Sequence, residues 1–223
     1  MLADAGSTPA ASTNLSMREC NTPITFGIVV LTDDQYAKKG MRMFSERRVA
    51  QIAAFFTDRE GGRIAHLKLM KLMYLADRES LTRFGHPLSY DHLVNMPHGP
   101  VLSQTLNLVD GDVEYGADGW DAWITDKEDH EVGLAQVFRV EALDELSEVD
   151  IEVLNSVWAK YGKMGKWEIR DFTHTLQEWI DPHGGSTPLA FADVLKAIGV
   201  DAATSAELDD EIRTHIELER RLA

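Results

Sequence analysis

From Ser45 onward apolar positions recur at helical spacing, and before it they show no such order. In SERRVAQIAAFF, residues 45–56, the positions Val49, Ile52, Ala53 and Phe56 fall on one face, the pattern of an amphipathic helix. Ser45 is its expected N-cap, and Glu60-Gly61-Gly62 ends it. The next stretch, RIAHLKLMKLMYLADRESLTRFG, predicts a longer helix over residues 63–85 carrying Ile64, Leu67, Met70, Met73, Tyr74 and Leu81 on a stripe. Leu69, Leu72 and Leu75 widen that stripe past half the circumference, and a helix apolar on most sides belongs in the middle of a domain. Gly85 and Pro87 terminate it.

Beyond this helix the pattern shortens. Leu88, Tyr90, His92, Val94 and Met96 alternate as in a half-buried extended segment. GPVLSQTLNLVDG predicts a helix with Pro100 at its first position, closed by Gly111. Residues 120–140 hold two aromatic or β-branched stretches around a polar TDKEDH turn, the signature of a small β-hairpin. LSEVDIEVLNSVWAKYG predicts a helix capped by Ser147 with Asp150 three residues on, carrying Val153, Leu154, Val157, Trp158 and Tyr161 to Gly162. KWEIRDFTHTLQEW predicts a further short helix, and TPLAFADVLKAIG another, with Thr187 capping, Pro188 first and Gly199 last. The tail from residue 200 is acidic and amphipathic. The expected fold is mainly α with a small β-hairpin, a compact helical domain around a central hydrophobic helix. It spans residues 45–199, with an extension over 1–44 and an acidic helical tail over 200–223.

Composition adds constraints. A chain of 223 residues with 44% hydrophobic and 26% charged positions has enough apolar material for one packed core without metals or disulfides. The net charge of −15 repels a phosphate backbone, and no Lys/Arg stripe with interleaved aromatics stands out against it, so nucleic acid is not an expected partner. Cys20 is the single cysteine, which excludes an internal disulfide and fits a reducing cytoplasm. No Cys/His spacing matches a zinc site, and neither a metal nor a cofactor is expected. ITFGIVVL, residues 24–31, is too short for a membrane span and lacks a basic flank, so no membrane association is expected. The first 22 residues are small, polar and aperiodic, which predicts disorder, with Met41 or Met43 as an alternative start.

Glycine-rich phosphate loops, H-E-x-x-H and G-x-S-x-G are absent from the sequence. Three features remain. Asp77 shares a face with Met70 and Tyr74 and therefore points inward, where a carboxylate needs a partner: His92, His98, His174, or backbone N–H groups at the start of the Pro100 helix. Around Pro-His-Gly-Pro-Val, Gly99 permits a tight turn and His98 projects near the positive end of the expected helix, as an anion site or a stiff buried corner. His174 and Glu178 fall one helical turn apart beside Thr173, as a salt-bridged face or an incomplete ligand set. Asp77 with His98 or His174 as base and orienter is the arrangement a small hydrolase would need.

LKLMKLMYLAD, MPHGPVLSQTL and YGKMGKWEIRDFTHTLQEW, in this order, resemble the Panacea domain of SocA-like antitoxins. The matching features are a Lys-Leu-x-Lys-Leu-Leu-Tyr helix, a Gly-Pro-Val turn and a late Thr-His…Trp element. These single out Lys68, Lys71, Tyr74, Asp77, His98, Gly99, Pro100, Thr173, His174 and Trp179. His98 departs from the aromatic that many members carry before Gly-Pro. The resemblance implies a non-enzymatic cytoplasmic antitoxin or prophage-associated relative that neutralises a cognate protein toxin encoded nearby. In one described mode an ATP-dependent protease is a second partner. It also implies that the shared motifs determine the fold and do not mark the toxin surface.

Overall fold

The computed structural model describes residues 44–222, with side chains through residue 217. The expected N-terminal extension, Ile24–Leu31 included, lies outside the described residues save for Phe44. Helix α1, Glu46–Arg59, starts where Ser45 Oγ accepts the Arg48 N–H at 3.2 Å. It buries Val49, Ile52, Ala53 and Phe56, as their spacing requires. Gly61 and Gly62, at φ +102° and +96°, then reverse the chain.

Strand β1, Arg63–Ala65, takes up residues that the periodicity assigned to the next helix. It pairs antiparallel with β4, Glu131–Gly133, with Ile64 opposite Val132. The two-glycine reversal aligns these residues as a strand before helical bonding begins. Helix α2 therefore spans His66–Phe84 and ends on Gly85 in the left-handed conformation. It packs against α1 and against β3, Gly99–Leu102, α4, Glu148–Tyr161, and α5, Lys166–Thr173. Leu69, Leu72, Met73 and Leu75 are all buried, on different sides of the helix. The central position expected of it is observed.

Strand β2, Leu93–Met96, lies between β3 and β5, Thr187–Pro188, in an antiparallel sheet. Two expectations are corrected here. Neither Pro100 nor Pro188 opens a helix: Pro100 pairs with Asn95 and Pro188 with Val94. Helix α3, Ser103–Asp110, starts three residues after Pro100, and α6, Phe191–Ala197, three after Pro188. Proline lacks an N–H and has φ near −65°, so it suits the edge of a sheet as well as a helix start. The alternation over residues 88–96 also changes phase. Leu88 and Tyr90 are buried, but in β2 the buried residues are Leu93 and Asn95. Tyr90 at φ +54° turns the chain between the two registers.

The hairpin expected at residues 120–140 is present only as isolated bridges, Ile124 with Leu134 and Glu128 with Glu131, and the continuous ladder of β4 is the one it forms with β1 on its other edge. Helix α4 has the expected capping box: Ser147 Oγ accepts the Asp150 N–H at 3.3 Å and Asp150 Oδ2 accepts the Ser147 N–H at 2.8 Å. Asp150 also meets the buried Arg48 guanidinium at 2.9 Å, which locks α1 to the start of α4, and Arg48 Nε donates to Leu88 O at 2.8 Å, which ties α1 to the loop after α2. Helix α7, Ala202–Leu222, lies on α6 and buries Leu208, Ile212 and Ile216. The chain is thus mainly α with small antiparallel sheets. No described helix is long and apolar enough to cross a membrane.

Candidate functional site

Lys68, Lys71, Tyr74 and Asp77 recur every third residue along α2. At 100° per residue each step moves the next side chain about 60° around the helix, so Lys68 and Asp77 face opposite ways. All four are buried. Buried polar groups persist only when hydrogen-bonded, and each of these reaches a different segment of the chain.

Lys68 Nζ donates to Glu60 Oε2 at 2.6 Å and to Gly162 O at 2.9 Å, and lies over the Trp158 ring. It joins the ends of α1 and α4. Lys71 Nζ donates to Pro100 O at 2.9 Å, fixing the β2–β3 hairpin on the helix. Tyr74 Oη donates to Glu178 Oε1 at 2.9 Å, and Arg78 Nε donates to the same oxygen at 2.6 Å. Asp77 Oδ1 accepts the N–H groups of Leu88 and Ser89, both at 2.9 Å, and its Oδ2 accepts the Ser89 hydroxyl. The expected partners of Asp77 were histidines or the Pro100 helix. The donors come instead from the loop after Gly85, which folds back on the carboxylate about two turns from the end of α2.

The remaining candidates lie around Gly99. Its φ is +93°, and a Cβ there would stand 2.5 Å from Thr173 Oγ1 and 3.1 Å from Lys71 Nζ. Only a residue without a side chain allows β3 to approach α2 and α5 this closely. Thr173 donates its hydroxyl to Arg170 O at 2.7 Å and closes α5. His174 follows the helix, so the expected turn-spaced pair with Glu178 is not made. His174 stacks on Trp179 at 4.0 Å between ring centres and 5° between planes, with its Nε2 buried and without a hydrogen bond among the described residues. Trp179 Nε1 donates to Met96 O at 3.2 Å. His98 sits exposed on the hairpin turn, edge-on to Trp167 at 6.3 Å, and not at a helix end, because α3 begins only at Ser103. Among the described residues no hydrogen bond joins Asp77 to His98 or His174.

Burial sets the electrostatics. It lowers the Lys71 ammonium to about 7 and raises the Asp77 carboxyl to about 7 against the pull of the Ser89 and Leu88 donors. Burial also raises Asp91, whose carboxylate caps α3 by accepting the Gln104 and Thr105 N–H groups at 2.9 and 2.7 Å. His174 is lowered, first by burial and then by the Arg170 and Lys71 charges.

Linkage gives these shifts opposite signs on two sides of neutrality. Between about pH 4 and 7 the folded chain keeps the Asp77 proton that the unfolded chain releases, so stability falls as pH rises. Between about pH 7 and 10 the unfolded chain keeps the Lys71 proton that the folded chain lacks, so stability rises with pH. Urea midpoints from pH 4 to 10 should therefore show a trough near neutrality. Asp77→Asn should flatten the acid limb and Lys71→Met the alkaline limb, by up to about 1.4 kcal/mol per pH unit each. Limbs unchanged in both variants would refute the assignment.

A family model described as antitoxin SocA-like, Panacea domain, matches residues 69–180. The chain belongs to this family. The matched span begins in α2 and runs past Glu178, so it contains Lys71, Tyr74 and Asp77 together with the hairpin, the loop and the late turn that they hold. No curated protein and no solved structure matches the chain. Two contributors to the framework were not singled out from the pattern of the sequence: Asp91 and Ser89 act through loop geometry that has no periodic signal. Nor was the surface residue Trp167, which stands in a run of cations at three- and four-residue spacing.

Proposed function

We propose that this chain is a cytoplasmic antitoxin that binds and neutralises a protein toxin encoded beside it. Membership in a family of SocA-like antitoxins carries the reading. The geometry supports it from the other side: Lys71, Tyr74, Asp77, Gly99 and Thr173 are each committed to an interior contact that positions backbone. Residues used in this way build a frame, and a frame fits a protein whose task is to present a surface.

Co-expression tests it. Each open reading frame flanking the gene is induced alone and with the full chain, and colony formation is counted. One neighbour should arrest growth alone and lose that effect with this protein present. Neighbours harmless alone, or equally toxic in both states, would refute the proposal. Toxin half-life in cells with and without an ATP-dependent protease separates the modes. Direct neutralisation leaves the toxin level unchanged, and delivery makes it fall only when the protease is present.

A further inference from the structure

Lys160, Lys163, Lys166 and Arg170 recur between the end of α4 and the middle of α5, with Glu168 the sole carboxylate in that span. The run is locally cationic on a chain whose net charge is −15. Glu168 is turned back on the helix start, accepting the Gly165 N–H at 3.3 Å, and Arg170 is paired with Asp171. Lys163 and Lys166 are exposed and have no ion pair among the described residues.

Trp167 stands in the middle of this run, 52% exposed, the sole aromatic among the large exposed hydrophobics of the described residues. Helix α5 buries Ile169 and Thr173, which leaves Trp167 on its open side. Its ring is fixed in place: Arg170 lies 4.9 Å and Lys166 5.6 Å from the ring centre, and His98 meets it edge-on. Beside it opens a cleft of about 330 Å³, walled by Trp167, His66, His98, His130 and Lys166 among others, with no carboxylate on its lining. His66 and His130 stack at 5.7 Å on its far wall, tied by a 2.8 Å contact from His66 Nδ1 to His130 O. Tryptophan and arginine are among the residue types enriched at the hot spots of protein interfaces. Charge complementarity selects what meets it.

We infer that the Trp167 cleft is a docking surface for an acidic segment of a protein partner. An apolar side chain of that segment enters the cleft against Trp167, and carboxylates on either side of it reach Lys163 and Lys166. This rests on the antitoxin reading for the partner's identity, which makes the partner the toxin; the cleft itself rests on its own geometry. A long phosphate backbone is disfavoured, because beyond these few cations it runs over a surface of its own sign.

The probe is a fluorescein-labelled heptapeptide, EDLEFDE, titrated at low salt into the full chain and followed by anisotropy. Its neutral counterpart QNLQFNQ and a labelled seven-nucleotide thymidine strand serve as comparisons. The acidic peptide should bind, and the neutral peptide, Trp167→Ala and Lys163→Glu/Lys166→Glu should each weaken binding by about tenfold or more. Both variants should stay folded, with cooperative melts close to that of the wild type, since Lys163, Lys166 and Trp167 lie at the surface and outside the buried core. Both variants should also lose protection in the co-expression assay.

Absent binding, equal binding of the neutral peptide, or equal binding by Trp167→Ala overturns the inference. So does a thymidine strand bound more tightly than the peptide, which makes the surface a nucleic-acid site. Self-association of the chain that Trp167→Ala abolishes overturns it as well, since the occupant is then a second copy. If no neighbouring gene is toxic, the antitoxin reading falls while the titration still decides the cleft. If the wild-type chain and Trp167→Ala protect equally, the docking surface falls and the antitoxin reading stands.

Discussion

Gly99→Ala should destabilise the protein by about 2 to 5 kcal/mol, combining backbone strain with overpacking. The backbone at residue 99 sits at φ +93°, where alanine is strained whatever the space around it. The new methyl would also stand 2.5 Å from Thr173 Oγ1 and 3.1 Å from Lys71 Nζ. Neither neighbour has free room: both residues are fully buried, the threonine hydroxyl is bonded to Arg170 O, and the ammonium is bonded to Pro100 O. Relief requires moving β3 off α2, which breaks the Lys71 tie. Urea denaturation measures the loss, and the double variant Gly99→Ala/Thr173→Ala apportions it. Removing Oγ1 should recover the overpacking share and leave the backbone share. A single variant with an unchanged midpoint would mean that the hairpin does not lie against the helix as described.

The second large effect belongs to Asp77→Ala. The carboxylate accepts from Leu88 N, Ser89 N and the Ser89 hydroxyl, and its residue is 1% exposed. Alanine leaves three buried donors without an acceptor, and each costs about 1 to 3 kcal/mol until water or rearrangement compensates. A net loss of about 3 to 5 kcal/mol is expected. Asp77→Asn should cost less, about 1 to 3 kcal/mol, because the amide oxygen still accepts backbone N–H groups and the amide nitrogen donates to the serine oxygen. Equal midpoints for the alanine variant and the wild type would place Asp77 outside the core. A loss in Asp77→Asn as large as in alanine would instead assign the effect to charge.

The sequence was most readable where a local signal and a long-range contact agree. Ser45 and Ser147 cap their helices, Gly85 and Gly111 end theirs, and the width of the apolar stripe on α2 puts that helix in the centre. Periodicity also turned Asp77 inward correctly. It failed for Pro100 and Pro188 because the same fixed φ serves a helix start and a sheet edge. The choice is made by pairing with β2, which no local window contains. Partners were the least legible: Asp77 is satisfied by a loop that turns back on its own helix, and Tyr74 by a carboxylate 104 residues away. The Trp167 run shows the reverse case. Its cations and its aromatic fall within eleven consecutive residues, 160–170, but a whole-chain charge of −15 masks so short a run.

The ties along α2 also set an order of events during synthesis. Tyr74 and Arg78 are among the earlier residues of the domain to be made, yet the carboxylate that satisfies both is Glu178, 104 and 100 residues later. At about 5 to 20 residues per second, on the order of 5 to 20 s separate the helix from its last partner. During that interval the growing chain carries a helix that is apolar on most sides and still lacks the late contacts, with Glu178 last, that complete its surroundings. Nascent chains that stop short of Glu178 lack both late contacts, so a frameshift upstream of the Glu178 codon should yield a product that cellular proteases clear rather than a partly active one.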